Sequence, residues 1–502
     1  MPNSARTRSL TNGSMGQILH YESVAPGRVD RTSVELPTLS TGTRVHMIGI
    51  GGCGMCGAAA VLLRGGVLVS GSDMKGLGVL ARLADQGAVV HEGQASENLP
   101  EHCDLVVCSS AIKESNPELA AARRRSLKVV KYSQLLGMLM APRVGIAVAG
   151  THGKSTTTAM IAFVLRSAGL DPSFVIGADV EQLGSGSGVG DGEHFVVEAC
   201  EYDRSFLNLR PKLATILNVD EDHLDYYRNL DEIVESFRSF ASLVTTDGWL
   251  VVNGEDSVSM KAVAGLPQNV EKFGLSGESE VDWEAQILDT NRGCSRFRVL
   301  HCGQPLTEVR LAIPGQHNVA NALATMAICF RAGVEPETIA QALGEFRGAR
   351  RRLTLHGIID GVAVVDDYAH HPNEIKATLR AARDYYRPRK MFVVFQPHQH
   401  SRTRFLLNDF AKSFGVADEV IVPDIYFVRD SESERDLIDA RDLVERIHQR
   451  GGDAQYEPHF ANIVSRLCGE VQSGDLVLTM GAGDVWQVAD KLLEYLSLTR
   501  DV

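Results

Sequence analysis

At 502 residues the chain exceeds what one hydrophobic core organises, and domains of ordinary size make about three. Its 44% hydrophobic and 23% charged residues suit packed, water-facing domains, and a formal net charge of −13 excludes a general nucleic-acid binder, which needs a basic surface to displace counterions. Nine scattered cysteines form no disulfide framework, and no apolar run approaches the ~20 residues of a membrane span, so the sequence predicts a cytoplasmic chain with reduced thiols and neither nucleic-acid nor membrane partners.

Residues 1–42 are rich in Ser, Thr, Arg and Gly and lack the apolar core of a signal peptide, so they are expected to be a disordered extension. Periodic sequence begins with a short apolar strand over 44–50. It runs into Gly49-Ile50-Gly51-Gly52-Cys53-Gly54-Met55 and an Ala/Leu-rich helix ending at Arg64. Strands over 67–70 and 104–108 follow, the first ending in Gly71-Ser72-Asp73 and the second in Ser109-Ser110. Gly49, Gly51, Gly54 and Asp73 roughly satisfy a dinucleotide fingerprint, and read alone this end of the chain fits a dehydrogenase. Cys53 and Cys56 form a C-x-x-C, but no second Cys/His pair stands at zinc-finger spacing, so they read as small residues in a glycine-rich turn.

A second unit opens with a strand over 145–149 that feeds Gly150-Thr151-His152-Gly153-Lys154-Ser155-Thr156 and then a long apolar helix. Later strands end at Glu198 and Asn218, and a helix over 318–332 closes the unit. A third has strands over 362–366, 390–395, 419–423 and 475–480 alternating with helices. Strand–helix alternation predicts parallel sheets with crossover helices. The fold expected is α/β, in three consecutive α/β domains: 43–142, 143–346 and 347–502.

The segment 150–156 carries the most chemistry. Its glycines let backbone N–H groups turn toward phosphate oxygens, Lys154 can reach the outer phosphates, and the Ser155 hydroxyl can bind Mg²⁺. The following helix points its positive end at the anion. Val148 stands where the longer P-loop pattern has its first glycine, which leaves a tighter G-x-x-G-K-S-T. Strand, loop and helix together predict nucleoside triphosphate binding.

The loop Gly-Thr-His-Gly-Lys-Ser-Thr-Thr resembles that of the Mur ligases, the amide-forming enzymes of cell-wall precursor synthesis. Other segments follow in the family's order: Gly49–Met55, the acidic stretch from Glu198 to Phe206, Asn218–His223, Gly315-Gln316-His317-Asn318 with Asn321, Arg351-Arg352, Asp366-Asp367-Tyr368-Ala369-His370-His371-Pro372, and Ser401-Arg402-Thr403-Arg404. The resemblance implies a Rossmann-like UDP-binding first domain, a P-loop-type ATP-binding central domain and a Rossmann-like C-terminal domain for the amino substrate. It places UDP-N-acetylmuramate on Gly49, Gly51, Gly52, Gly54, Met55, Asp73, Ser109, Ser110 and Asn116. It places ATP on Gly150, Thr151, His152, Gly153, Lys154, Ser155, Thr156, His317, Asn318, Asn321, Arg351 and Arg352.

By the same resemblance, Ser155, Glu198 and His223 would hold Mg²⁺ or Mn²⁺, with Glu201 a supporting acid. Lys154, Asp367, His370 and Arg402 would carry the chemistry. Gln94 and Gln399 stand where many relatives have His and Arg. The implied reaction is ATP-dependent addition of L-alanine to the lactoyl carboxylate of UDP-N-acetylmuramate in peptidoglycan synthesis, by a monomer or homodimer. Two other readings are a ligase that recycles a preformed tripeptide onto the same sugar nucleotide, and a non-catalytic sensor of cell-wall precursors. Lys154, Glu198 and His223 standing together argue against the sensor.

Overall fold

The computed structural model describes residues 23–25, 28–30, 38–74, 77–275, 277 and 280–500. The expectation of a disordered extension falls mostly on residues outside these. Two short strands, Ser23–Ala25 and Arg28–Asp30, pair only with each other. The extension's expected end at residue 42 is a few residues late. Leu39 packs on the first core, and Gly42 donates to the Gly66 carbonyl (2.9 Å).

The first sheet has five parallel strands in the order Val89–Glu92, Leu68–Asp73, Arg44–Ile48, Leu105–Cys108, Val129–Lys131. The central strand is buried over four of its five residues, as a strand covered by helices on both faces requires. It stops at Ile48, two residues before the predicted end, because Gly49 turns the chain with φ +82°. The order reverses between this strand and Leu105–Cys108, and that crevice is where open α/β sheets take ligands.

Helix Tyr132–Met140 joins the first sheet to the second. Seven of its nine residues are buried, so it is apolar on nearly every side. Gly137 lies so close to the second unit that a Cβ there would meet the Asn208 carbonyl oxygen at 2.1 Å. The two sheets accordingly share one apolar core, running from Val45 and Leu105 through Leu135 and Met140 to Ala147 and Phe237.

The second sheet has ten strands. At its heart Val144–Ala149 lies between His194–Glu198 and Leu213–Ile216, all parallel. Helices Lys154–Ser167, Gln316–Arg331 and Pro336–Glu345 cover one face. Its far end is an antiparallel meander, Trp283–Asn291, Cys294–His301 and Gln304–Arg310, which strand–helix alternation did not predict.

The third sheet runs Thr354–Ile359, Val362–Asp367, Leu476–Met480, Met391–Phe395, Glu419–Val422, Ala454–Tyr456. It is parallel except for its first strand, an antiparallel edge. No helix among the described residues is long and apolar enough to cross a membrane.

Candidate active site

Loops at the carboxyl ends of the second and third sheets face each other across a cleft of about 1740 Å³. It is lined by His152, Gly153 and Thr156 from the phosphate loop, His317, Asn318 and Asn321 from helix Gln316–Arg331, and Arg352, Asp367 and Glu374 from the third domain.

Gly153 is the N-cap of helix Lys154–Ser167 with φ +83°, a conformation that side chains disfavour. A Cβ there would also strike Asn321 Oδ1 at 2.6 Å. The helix therefore starts with its free N–H groups aimed into the cleft, where an anion is stabilised. Asn218 braces the loop, accepting from the His152 N–H through Oδ1 (2.8 Å) and from the Thr151 N–H through its carbonyl (3.0 Å).

Lys154 Nζ donates to the carbonyls of Gly150 (2.6 Å) and Thr151 (3.0 Å) and to Glu201 Oε1 (3.0 Å). Burial works against its charge, but Glu201 and Glu198 outweigh burial and hold the ammonium protonated. Ser155 Oγ donates to Glu198 Oε2 (2.9 Å), which also accepts from the Gly177 N–H (2.9 Å). His223 Nε2 lies 3.7 Å from Glu201 Oε1. Of the three proposed metal ligands, Ser155 and Glu198 thus touch, while His223 meets the Lys154–Glu201 pair.

Glu201 Oε2 is buried and has no hydrogen-bond partner among the described residues, and the same holds for Arg352 Nε. An orphaned carboxylate oxygen and an orphaned guanidinium N–H beside a phosphate loop fit a bound polyphosphate with a divalent cation.

The structure separates the two adjacent arginines. Arg352 reaches Ser155 Oγ (3.4 Å) and stacks over Tyr368. Arg351, expected on ATP, is turned away. It sits at φ +59°, and its guanidinium donates to Asp366 (2.8 Å) and to the carbonyls of Gly481 and Gly483. A side chain already neutralised by a buried carboxylate gains little by reaching elsewhere, so Arg351 holds the third domain's own loop.

Asp367 accepts from the N–H groups of Leu353 (2.6 Å) and Ala369 (2.8 Å). Burial dominates and lifts its carboxyl to about 6, against the pull of Arg352. His370 is pushed down to about 4 by burial, with Arg402 adding to the effect against Glu374. Its Nδ1 lies 3.1 Å from the Tyr368 carbonyl, which can only accept, so Nδ1 carries the proton and Nε2 keeps a lone pair.

Arg402 is buried and committed. Its Nε and Nη2 donate to Asp222 Oδ1 at 3.1 and 2.8 Å, and its Nη1 lies 3.3 Å from His398 Nδ1. Asp222, quoted only as part of a motif, is thereby a central residue. Burial would raise its carboxyl, but Arg402 and His223 hold it well below the usual range.

In the first domain, Asp73 Oδ2 accepts from the Gly51 N–H (2.9 Å) and fixes the glycine loop beside Ser109. Ser110 is exposed at the crevice, and Met55 is buried under the loop. Asn116 caps helix Pro117–Arg124 through Oδ1 and donates to Gln94 Oε1 (2.7 Å), so the departure at Gln94 is matched by an amide partner. Asn318 Nδ2 donates to the Pro314 carbonyl (2.7 Å), and Asn321 Nδ2 donates to Asn318 Oδ1 (3.2 Å). Burial, with Arg352 nearby, pushes His317 down to about 4.

A phosphate loop with lysine, paired acids and a facing arginine from a separate domain defines a phosphoryl-transferring ligase site. Three family models match the chain in succession: the Mur ligase family catalytic domain over 44–143, the Mur ligase middle domain over 148–329, and the Mur ligase glutamate ligase domain over 351–483. The chain belongs to the Mur ligase family. It is 43% identical over 454 residues to the UDP-N-acetylmuramate–L-alanine ligase of Caldanaerobacter subterraneus subsp. tengcongensis, covering 90% of this chain and 97% of that one. To the enzyme of the same name from Acetivibrio thermocellus it is 41% identical over 452 residues, covering 90% and 95%. The crystal structure of the UDP-N-acetylmuramate–alanine ligase from Thermotoga maritima superposes with a TM-score of 0.75 at 27% identity, over 91% of this chain and all of that one. A murein peptide ligase from Psychrobacter arcticus superposes at 0.69 with 26% identity, over 91% and 99%.

Proposed function

We propose that the chain joins L-alanine to the lactoyl carboxylate of UDP-N-acetylmuramate in peptidoglycan synthesis, consuming ATP and releasing ADP and phosphate. The observation that carries this reading is the pairing of a phosphate loop in the second domain with Arg352 and Asp367 of the third across one cleft. A carboxylate is a poor electrophile, and amide formation needs one of its oxygens turned into a leaving group. The γ-phosphoryl donor lies on the phosphate loop, so the carboxylate takes that group and becomes an acyl phosphate. The protein's part is positioning and charge stabilisation.

Lys154, held charged by Glu201, and Arg352 stabilise negative charge on the transferring group. Ser155, Glu198 and His223 are the residues that would hold a divalent cation, which when bound neutralises phosphate charge. The amine of L-alanine must be neutral to attack the acyl carbon. Asp367, or His370 through its free Nε2, accepts the proton, and phosphate then leaves. His317, Asn318 and Asn321 are assigned to the adenine side. Gly49, Gly51, Gly52, Gly54, Met55, Asp73, Ser109, Ser110 and Asn116 are assigned to the sugar nucleotide.

The test is turnover with UDP-N-acetylmuramate carrying ¹⁸O in the lactoyl carboxylate. ADP as product, with one labelled oxygen in the released phosphate, is expected with L-alanine. AMP, or unlabelled phosphate, would overturn the acyl phosphate. Efficient use of a preformed tripeptide with no use of L-alanine would assign the chain to recycling.

A further inference from the structure

At the seam between the second and third domains lies a cluster whose side chains take no part in the proton and phosphoryl transfers above, although His152 itself belongs to the phosphate loop. His152 of the loop, Asp220 of the segment after strand Leu213–Ile216, and His371 at the start of helix Pro372–Tyr386 bring three ligand atoms within 4.8 Å of one another. His152 Nε2 is 3.3 Å from Asp220 Oδ2, and His371 Nδ1 is 3.9 Å from the same oxygen. The rings of His152 and His371 pack at 4.6 Å between centroids. With bonds of ~2.0–2.1 Å, a tetrahedral zinc spaces its ligand atoms by about 3.4 Å. The three atoms need only small side-chain rotations to meet that spacing.

We infer that His152, Asp220 and His371 form a zinc-class transition-metal site that fastens the third domain to the phosphate loop. The ring nitrogens turned away from the cluster are already anchored. His152 Nδ1 lies 3.2 Å from Glu374 Oε1, and His371 Nε2 lies 3.3 Å from the Glu221 carbonyl. Metal-binding histidines are typically held through their far nitrogen by a carboxylate or a carbonyl, which aims the near nitrogen at the ion. Both partners here are pure acceptors, so each far nitrogen carries the hydrogen and each near nitrogen can offer a lone pair.

Two imidazoles and one carboxylate select zinc, cobalt or nickel over Mg²⁺, which prefers oxygen and water. This separates the cluster from the Ser155, Glu198 and His223 set, whose two touching ligands, Ser155 and Glu198, are oxygens suited to Mg²⁺. His152 and Asp220 line the cleft, so the fourth position faces water. Without metal, Asp220 Oδ2 accepts from Asn373 Nδ2 and from a proton on His152 Nε2, and His371 Nδ1 accepts from the Asn373 N–H (3.4 Å). The ion replaces these three contacts.

The test titrates Zn²⁺, and separately Co²⁺, into the nucleotide-free full chain with Mg²⁺ in excess to fill the oxygen site. One Zn²⁺ per chain is expected to bind, and Co²⁺ is expected to show the strong visible absorption of a four-coordinate site. Asp220→Asn and His371→Asn, from different domains, should each weaken binding by about 100-fold or more and abolish the Co²⁺ band. Glu374→Gln keeps all three ligands and should weaken binding by about 10–100-fold. Uptake of Zn²⁺ that is the same in His371→Asn as in the parent would overturn the site. So would a parent that takes up no Zn²⁺ beside Mg²⁺.

Discussion

Lys154 is where single-residue chemistry is most concentrated. Its ammonium has three donors, and in the structure they go to two loop carbonyls and Glu201. Lys154→Ala removes charge from the phosphate loop and leaves Glu201 buried without its cation. ATP turnover should fall by about 100-fold or more. Binding of UDP-N-acetylmuramate, whose proposed site is on the first sheet, should change little, and calorimetry with phosphate release on one variant checks both. A second residue-scale expectation concerns pH. The Asp367 carboxyl, lifted to about 6 chiefly by burial, is charged above that value and neutral below it. A base must be unprotonated, so kcat/KM should decline as pH falls through about 6. His370 at about 4 adds no inflection in that range. If Asp367→Asn keeps the same acidic limb, Asp367 is not the group that titrates.

At the scale of elements, the first domain's nucleotide loop rests on one buried carboxylate. Glu118 lies in helix Pro117–Arg124. It is fully buried and accepts from His46 Nε2 (3.0 Å), Ser72 Oγ (2.7 Å), Asn98 Nδ2 (2.8 Å) and the Ala95 N–H (3.1 Å). It thus ties the two strands that carry the Gly49 turn and Asp73 to the segment that follows strand Val89–Glu92. Glu118→Ala leaves several buried donors unpaired and should lower the first domain's stability by about 3 kcal/mol or more. Faster hydrogen exchange in strand Arg44–Ile48 would register it, with a rise in KM for the sugar nucleotide exceeding any fall in kcat. Unchanged exchange would mean the network is not supporting the strand.

None of that network was legible in the sequence. His46, Ser72 and Glu118 sit in three different elements, and periodicity says only that their neighbours are buried. What was legible was local. The strands ending at Ala149 and Glu198, and the helix after Gly153, follow from apolar runs punctuated by glycine. The phosphate loop is contiguous, so its residues could be read together. The meander over 283–310 was not, because alternating charged and apolar residues there depend on partners at the sheet's far edge. Nor could spacing tell Arg351 from Arg352. The choice is made by a left-handed backbone at Arg351 and by Asp366, fifteen residues away.

For the whole molecule, the decisive surface is the seam between second and third domains, because the proposed reaction needs groups from both. Arg402–Asp222, Arg352–Ser155, Asn373–Asp220 and His152–Glu374 all cross it. Most are ionisable, so closure should respond to pH in a direction that can be worked out. Burial disfavours a charged His152, but Asp220 and Glu374 outweigh burial and His152 rises to about 9 from its ordinary 6.5. A raised folded value means its contribution is complete below about pH 6.5 and is lost as pH climbs through about 9. Asp220 and Glu374 are held below the usual carboxylate range despite burial, by His152 with His371 in one case and by His370, His152 and Arg352 in the other. Their contribution is complete above about pH 4.5 and fades as pH falls below it. His371 faces the same groups and is pushed down from its ordinary value by burial and His152. The seam should therefore be tightest between about pH 4.5 and 6.5. Melting temperatures of the parent and of His152→Gln, measured from pH 5 to 10, should differ most below pH 6.5 and converge toward pH 10. A difference that stays constant across that range would mean that the His152 ion pairs do not help hold the two domains together.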